Sequence, residues 1–308
     1  MTDDRIENSL KAIDDLAIGH PQAKFVQDQL DGLYSRGVRN KQAHCMTLTG
    51  PTGAGKTWAL QHFMDRCNAE ALEEQRGDVD ELPVVYVQAP NSASEKALAA
   101  NILSELGDPA AERGTSDSLA NRLRQRVNAL GTRMIIIDEA QHLVDRRLTK
   151  TEKIRQTAEW MKNLLFDSQC VYVYAGLATT EELIKTNGQL GRRCSKCINL
   201  EGFPFTTKDE RNFFIKVVEK FVEASGFDLD VGDAKIYQAI HLATDGLLGS
   251  LAQLFQQAVE HAYEQNCDVI NGDCLASVWH YTPLREVTEN TKKLTHNPFH
   301  EFRSPKRR

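Results

Sequence analysis

Three groups of residues in this sequence have the types and spacing to act on a phosphate chain. The first is Gly50-Pro51-Thr52-Gly53-Ala54-Gly55-Lys56-Thr57, a G-x-x-x-x-G-K-T loop. A short apolar run, Cys45 to Thr49, leads into it, and Trp58 to Cys67 follows with apolar side chains at helical spacing and no Gly or Pro. Strand, loop and helix in that order turn the pattern into a mechanism. The glycines let the backbone wrap so that successive N–H groups point at an anion. A helix starting near Lys56 adds its positive end. Lys56 would reach the β- and γ-phosphates, Thr57 would hold Mg²⁺, and Trp58 completes the nucleotide-binding stretch. The loop predicts a nucleoside triphosphate site that takes ATP with Mg²⁺.

The second group is Asp138-Glu139, closing the apolar run Met134-Ile-Ile-Ile137. At the carboxyl end of a buried strand Asp138 would contact Mg²⁺, directly or through water. Glu139 would orient or deprotonate an attacking water. The pair is weak evidence alone and strong beside a complete phosphate loop, and together they predict ATP hydrolysis. The third group is Arg192-Arg193, within Gln189-Leu-Gly-Arg-Arg just before a fifth strand. A guanidinium inserted from a neighbouring subunit can neutralise charge developing on the γ-phosphoryl group. Arg193 is the first choice for that role by its spacing to the strand, Arg192 the second; two solvated surface arginines are the plain alternative.

These residues need a scaffold, and the chain supplies strand and helix patterns in alternation. Helical spacing covers residues 2–36 with a break at Gly19-His20-Pro21. Strands are expected at Cys45–Thr49, Pro83–Ala89, Arg133–Asp138, Cys170–Ala175 and Cys197–Leu200, with helices between them ending near Gly107 and over 117–130 and 154–166. Alternating strands and helices make a five-stranded parallel sheet sandwiched by helices, an α/β fold. After Gly202-Phe-Pro204 only helical patterns continue, the first capped by Thr206 or Thr207. The expected organisation is N-terminal helices over 1–43, a P-loop core over 44–203, an all-helical lid over 204–281 and a flexible basic tail over 282–308. In that tail Phe299 and Phe302 could dock in a partner's pocket. A parallel sheet followed by a helical lid is the layout of an AAA+ module.

Composition sets limits without choosing a function. With 308 residues the chain can bury a sizeable core, and its 41% hydrophobic content and net charge of −6 are ordinary for a globular protein. The opening Met-Thr-Asp-Asp lacks the pattern of a signal peptide, and no apolar run is long enough to span a bilayer, so a cytoplasmic protein without membrane contact is expected. Seven cysteines, an odd number, read as reduced thiols. Cys194-Ser-Lys-Cys197 is a lone C-x-x-C, and with no second ligand pair it specifies neither a zinc site nor a redox centre.

With these motifs placed, the chain resembles the TniB/TnsC AAA+ transposition regulators. The likeness runs from about residue 5 to about residue 280. It is carried by Gly19-His-Pro-Gln-Ala, Met46-Thr-Leu-Thr-Gly-Pro-Thr-Gly-Ala-Gly-Lys-Thr, Ile137-Asp-Glu-Ala-Gln-His142-Leu, Ala175-Gly-Leu-Ala and Gln189-Leu-Gly-Arg-Arg. The resemblance implies an ATP-dependent protein that forms a ring or helical filament on double-stranded DNA, largely without sequence preference. It implies a link between a TniQ/TnsD-type target selector and a TniA/TnsB-type DDE transposase, with hydrolysis dismantling the oligomer. Family position alone places Ile18 and His20 beside adenine. Two departures imply slow or partner-stimulated turnover: Tyr174-Ala-Gly-Leu-Ala-Thr179 holds no sensor asparagine, and Asp245 to Leu254 lacks the second sensor arginine. Lys96 and the cluster Arg146, Arg147, Lys150 and Lys153 are the candidate phosphate contacts to DNA. Two other function classes remain. An initiator or helicase loader would usually append a winged-helix domain, for which the residues after the lid are too few. A nucleotide switch acting on proteins alone would bind no DNA.

Overall fold

The fold was obtained as a computed structural model, which describes residues 2–39, 44–74, 81–91, 94–143, 170–186, 188–230, 233–281 and 288–302. The chain divides into two compact units. One comprises Met1–Gly19, Pro51–Gly55 and Glu201–Arg308; the other comprises His20–Gly50 and Lys56–Leu200. The N-terminal block expected as one piece is thus shared between them.

The second unit is built on the parallel sheet. Its strands are β1 (Cys45–Thr49), β2 (Val84–Gln88), β3 (Met134–Asp138), β4 (Val171–Gly176) and β5 (Cys194–Asn199), in the order β2-β3-β4-β1-β5. Every residue of β1, β3 and β4 is buried, as unbroken apolar strands covered on both faces must be. Register aligns the carboxyl ends: Gln88 lies opposite Asp138, and Thr49 opposite Gly176. Helix α2 (Pro21–Arg39) starts with Pro21 as its first residue, where the missing N–H costs nothing. Helix α3 (Lys56–Glu74) opens inside the phosphate loop. Ser94 caps α4 (Glu95–Glu105), and Thr115 caps α5 (Ser116–Ala129). Helices α6 (Thr179–Thr186) and α7 (Gly188–Arg193) join β4 to β5.

Strand β5 begins at Cys194 rather than at Cys197. A β-bulge opposite Cys45 and Met46 skips Ser195 and lets Lys196 continue the pairing, and polar residues at the end of a sheet hide that continuation from a hydrophobicity pattern. The helix expected over 154–166 lies outside the described residues.

In the first unit α1 (Thr2–Asp14) packs on α8 (Lys208–Ser225) and on α10 (Leu248–Glu264), while α11 (Gly272–Tyr281) also packs on α10. The apolar face of α8 buries Phe214, Val217, Val218 and Phe221, with Phe213 only partly covered. Thr207, not Thr206, caps that helix in a reciprocal capping box with Glu210, and Gly226 at φ +66 stops it. The loop residues Pro51–Gly55 cluster with this unit, where the Gly249 N–H donates to the Gly53 carbonyl at 2.8 Å. Helix α9 (Lys235–Thr244) completes the helical set. The module is not purely helical: β6 (Asp228–Leu229) pairs in parallel with β7 (Val269–Ile270). Two-residue strands leave no periodicity to read.

The described part of the expected loose tail is packed. Thr288 caps the short α12 (Glu289–Lys292). The Asn297 side chain donates to the Ala276 carbonyl at 2.8 Å and accepts the Phe299 N–H at 2.9 Å. Phe299 is 0% exposed within the cluster that holds Trp279 and Leu275. Burial of one aromatic ring outweighs the polar composition around it. Replacing Phe299 by Ala is therefore expected to destabilise this unit by about 3–5 kcal/mol, read as a lower urea midpoint. A tail that touched nothing would leave the midpoint unchanged.

Candidate nucleotide site

The site assembles at the carboxyl ends of β1, β2 and β3, where open parallel sheets bind ligands. β1 delivers the phosphate loop. Gly53 and Gly55 take φ of +81° and +90°, a region L-residues avoid, and these values turn the backbone inward. Lys56 is 6% exposed, and its ammonium donates to the Gly50 carbonyl at 2.9 Å. Burial lowers the Lys56 pKa, while the Asp138 and Glu139 carboxylates oppose that shift. A buried cation held beside two carboxylates is arranged to receive a polyanion together with a divalent metal.

Asp138 is 1% exposed, so its carboxylate needs donors. Thr57 Oγ1 donates to Asp138 Oδ2 at 2.6 Å, and the Tyr86 hydroxyl donates to the same oxygen at 2.8 Å. The Glu139 N–H donates to Oδ1 at 2.8 Å. The expected metal pair, Thr57 and Asp138, is therefore in direct contact. The Thr57 hydroxyl and the Asp138 carboxylate, next to buried Lys56, fit a hard cation such as Mg²⁺. Burial first, then the Asp138 carboxylate, push the Tyr86 hydroxyl above its ordinary pKa, so it stays a donor.

Glu139 has φ +54, one of the few described residues other than glycine with positive φ. Strain of this kind persists where surrounding contacts over-determine it. Gln141, in the 3₁₀ turn Ala140–Leu143, donates through Nε2 to Glu139 Oε2 and accepts the Leu177 N–H at 3.1 Å through Oε1. His142 Nε2 lies 3.8 Å from the same Glu139 oxygen. Gln141 thus ties the candidate water-activating carboxylate to the tip of β4, where no asparagine stands. Thr179 there is exposed. Neither Gln141 nor Tyr86 was singled out from the sequence as a site residue. Both neighbour recognised motifs, but their roles depend on side-chain direction, which spacing does not carry.

The remaining candidates lie elsewhere. Arg192 (exposed) and Arg193 (half-buried) end α7. They precede Cys194, which pairs with Cys45 at the start of β1, so about 13 Å of strand separates them from the end that carries the phosphate loop. The fold does not bring either arginine to this chain's own loop. His20 Nδ1 accepts the Ala23 N–H at 3.1 Å at the start of α2, and burial lowers the His20 pKa. Ile18 is buried in the cluster of the first unit. Trp58 is 42% exposed and stacks on His62, with ring centroids 5.0 Å apart. Lys96 is exposed on the first turn of α4. Arg146, Arg147, Lys150 and Lys153 lie outside the described residues.

Known proteins can now be set beside this geometry. The family described as bacterial TniB protein matches residues 10–201. A comparison with curated proteins finds no match. Among solved structures, the Aeropyrum pernix ORC2 protein in ADPNP–ADP complexes aligns with a TM-score of 0.62 at 14% identity, covering 88% of this chain and 71% of that one. The Aeropyrum pernix ORC1 protein in complex with DNA gives 0.60 at 16% identity, covering 85% and 66%. Cdc6p from Pyrobaculum aerophilum gives 0.55 at 18%, covering 87% and 69%. At such identities the likeness establishes the fold, an AAA+ P-loop ATPase, as expected from the sequence.

Tyr86→Phe removes one of the donors to a buried carboxylate. It is expected to cost about 1.5–3 kcal/mol in chemical denaturation, whereas a tyrosine that merely packs there would tolerate the change.

Proposed function

The chain belongs to the bacterial TniB family, and on that premise we propose that it is an ATP-dependent, DNA-binding AAA+ regulator of DNA transposition. The observation that carries this reading is the contact of Thr57 Oγ1 with Asp138 Oδ2 at 2.6 Å beside buried Lys56. It is the arrangement that a triphosphate and its metal require. The solved ORC2 structure with ADPNP and ADP supports nucleotide binding by this fold, and the ORC1 structure with DNA supports the duplex as partner. Family membership, not fold, favours transposition over replication initiation, because the fold is common to both.

In this proposal the loop N–H groups and Lys56 bind and orient the phosphates. Thr57 and Asp138 would hold Mg²⁺, which would supply charge neutralisation at the transferred phosphoryl group. Glu139, released from Gln141, accepts a proton from the attacking water. Arg193, or Arg192, completes the site of a neighbouring copy, since neither reaches its own loop. ATP would therefore join subunits into a ring or filament on duplex DNA, and hydrolysis would dismantle it. Lys96 would contact DNA phosphates. A TniQ/TnsD-type selector and a TniA/TnsB-type DDE transposase are the partners the assembly would connect. Ile18 and His20 near adenine, and Arg146, Arg147, Lys150 and Lys153 on DNA, belong to the same proposal. Among the described residues no helix is long and apolar enough to cross a membrane.

Glu139→Gln is expected to bind ATP as tightly as the parent chain while losing at least about 100-fold in turnover. With ATP and random-sequence duplex it should accumulate regular rings or filaments in electron micrographs. Monomers with no shift of the DNA would refute the assembly.

Lys96→Ala is expected to weaken binding about equally across DNA sequences and to lower the slope of log affinity against log salt by about 1. An unchanged slope would remove Lys96 from the interface.

A further inference from the structure

Cys194 and Cys197 stand in a geometry that the nucleotide site does not use. Residues three apart on a regular strand point to opposite faces. Here the bulge makes Ser195 an extra residue, so Cys194 lies opposite Cys45 and Cys197 opposite Thr47. Cys45 and Thr47 are two apart and share a face, and the two cysteines opposite them therefore share it as well. Their sulfurs are 3.8 Å apart. Two strand positions put their Cα atoms about 6.8 Å apart, at the outer limit that a disulfide spans.

The surroundings separate the roles of the two thiols. Cys45 is fully buried and its thiol is pushed up, first by its hydrogen bond to Cys194 and then by burial, so it remains a proton donor. That bond lowers Cys194 against the opposing effect of burial; with further bonds from Cys197 and the backbone, its thiol falls to about 7. Cys194 is partly exposed and Cys197 exposed, on the strand that ends the sheet order. Thr47 Oγ1, paired in register with Cys197, is buried with no hydrogen-bond partner among the described residues. Burial pushes the Cys197 thiol up, and the Thr47 hydroxyl opposes that shift by donating to its thiolate form. No group of three or more His, Cys, Asp or Glu among the described residues is placed to hold a metal, which leaves two-thiol chemistry.

We propose that Cys194 and Cys197 form a thiol–disulfide exchange site whose substrate is a small-molecule disulfide of the glutathione class. The Cys194 thiolate attacks one sulfur of that disulfide and displaces the first small thiolate. Cys197 loses its proton, and its thiolate attacks Cys194 Sγ, expelling the second. One disulfide forms in the chain, one is reduced to two small thiols, and the two protein protons pass to them. Because Cys194 directly follows Arg193, closure draws in the bulge beside the candidate trans arginine.

The test uses the full chain, incubated with oxidised glutathione, quenched with N-ethylmaleimide and mapped by peptide mass. The peptide holding residues 194 and 197 is expected to lose two hydrogens and to carry no maleimide. Dithiothreitol should restore both thiols. In Cys197→Ser, Cys194 should stop at the mixed disulfide with glutathione. In the reduced parent chain, alkylation of Cys194 should be half-maximal near pH 7. Both cysteines fully alkylated after oxidation, or a mixed disulfide on Cys197 alone, would overturn the proposal. So would a Cys194 alkylation profile matching that of free N-acetylcysteine.

Discussion

A carboxylate buried at the end of a strand is the constraint that organises this molecule. Asp138 is almost wholly removed from water, and a charge in that position persists only with donors close by. It takes them from three places: Thr57 at the start of α3, Tyr86 on β2, and the backbone of Glu139. Each bond fixes an element. The first sets the angle at which α3 leaves the phosphate loop, and the second locks β2 against β3 at the edge where their carboxyl ends align. The third holds Glu139 in a backbone conformation it would otherwise avoid. Stability and the proposed metal site therefore draw on the same atoms, and a ligand that took over Asp138 would have to replace bonds that hold the fold.

That dependence explains which parts were legible in the sequence. The loop Gly50–Thr57, the pair Asp138-Glu139 and the buried strands could be read because backbone geometry imposes residue types: glycine where φ is positive, unbroken apolar runs where both faces are covered. Tyr86 and Gln141 could not be read, since a tyrosine or a glutamine at those positions satisfies many arrangements and only the fold selects one. The start of β5 was hidden for a related reason. A bulge changes which residues share a face, so a two-residue period fails where Ser195 is inserted. Phe299 shows the opposite error. Charge and polarity around it suggested a loose tail, while one ring buried in the cluster that holds Leu275 and Trp279 was enough to pack the segment.

Gln141 bears on the absent sensor asparagine. In this fold a polar side chain at the tip of β4 would report on phosphate, and here that strand runs Tyr174-Ala-Gly176 into Leu177. A Cβ on Gly176 would come within 2.2 Å of Gln141 Oε1, so the bare glycine is what lets Gln141 reach the Leu177 N–H. The polar contact at the strand tip is made from β3's side instead of β4's, and it ends on Glu139. A carboxylate restrained in this way is less available as a base. The slow turnover expected from the missing residue would then have a positive cause as well as a negative one.

The position of β5 connects the remaining features. It ends the sheet order and begins at the opposite end of β1 from the phosphate loop. An arginine placed there is held away from its own chain's phosphate loop, because about 13 Å of rigid strand lies between them. Either Arg193 serves a second copy or it serves no nucleotide at all, and the Gln-Leu-Gly-Arg-Arg segment of a TniB protein favours the former. The same bulge that lets the strand start at Cys194 places two thiols on one face directly after that arginine. A covalent bond between them would act on the segment that carries Arg193. Local irregularity at a sheet edge therefore places the two thiols directly after Arg193 in one short segment.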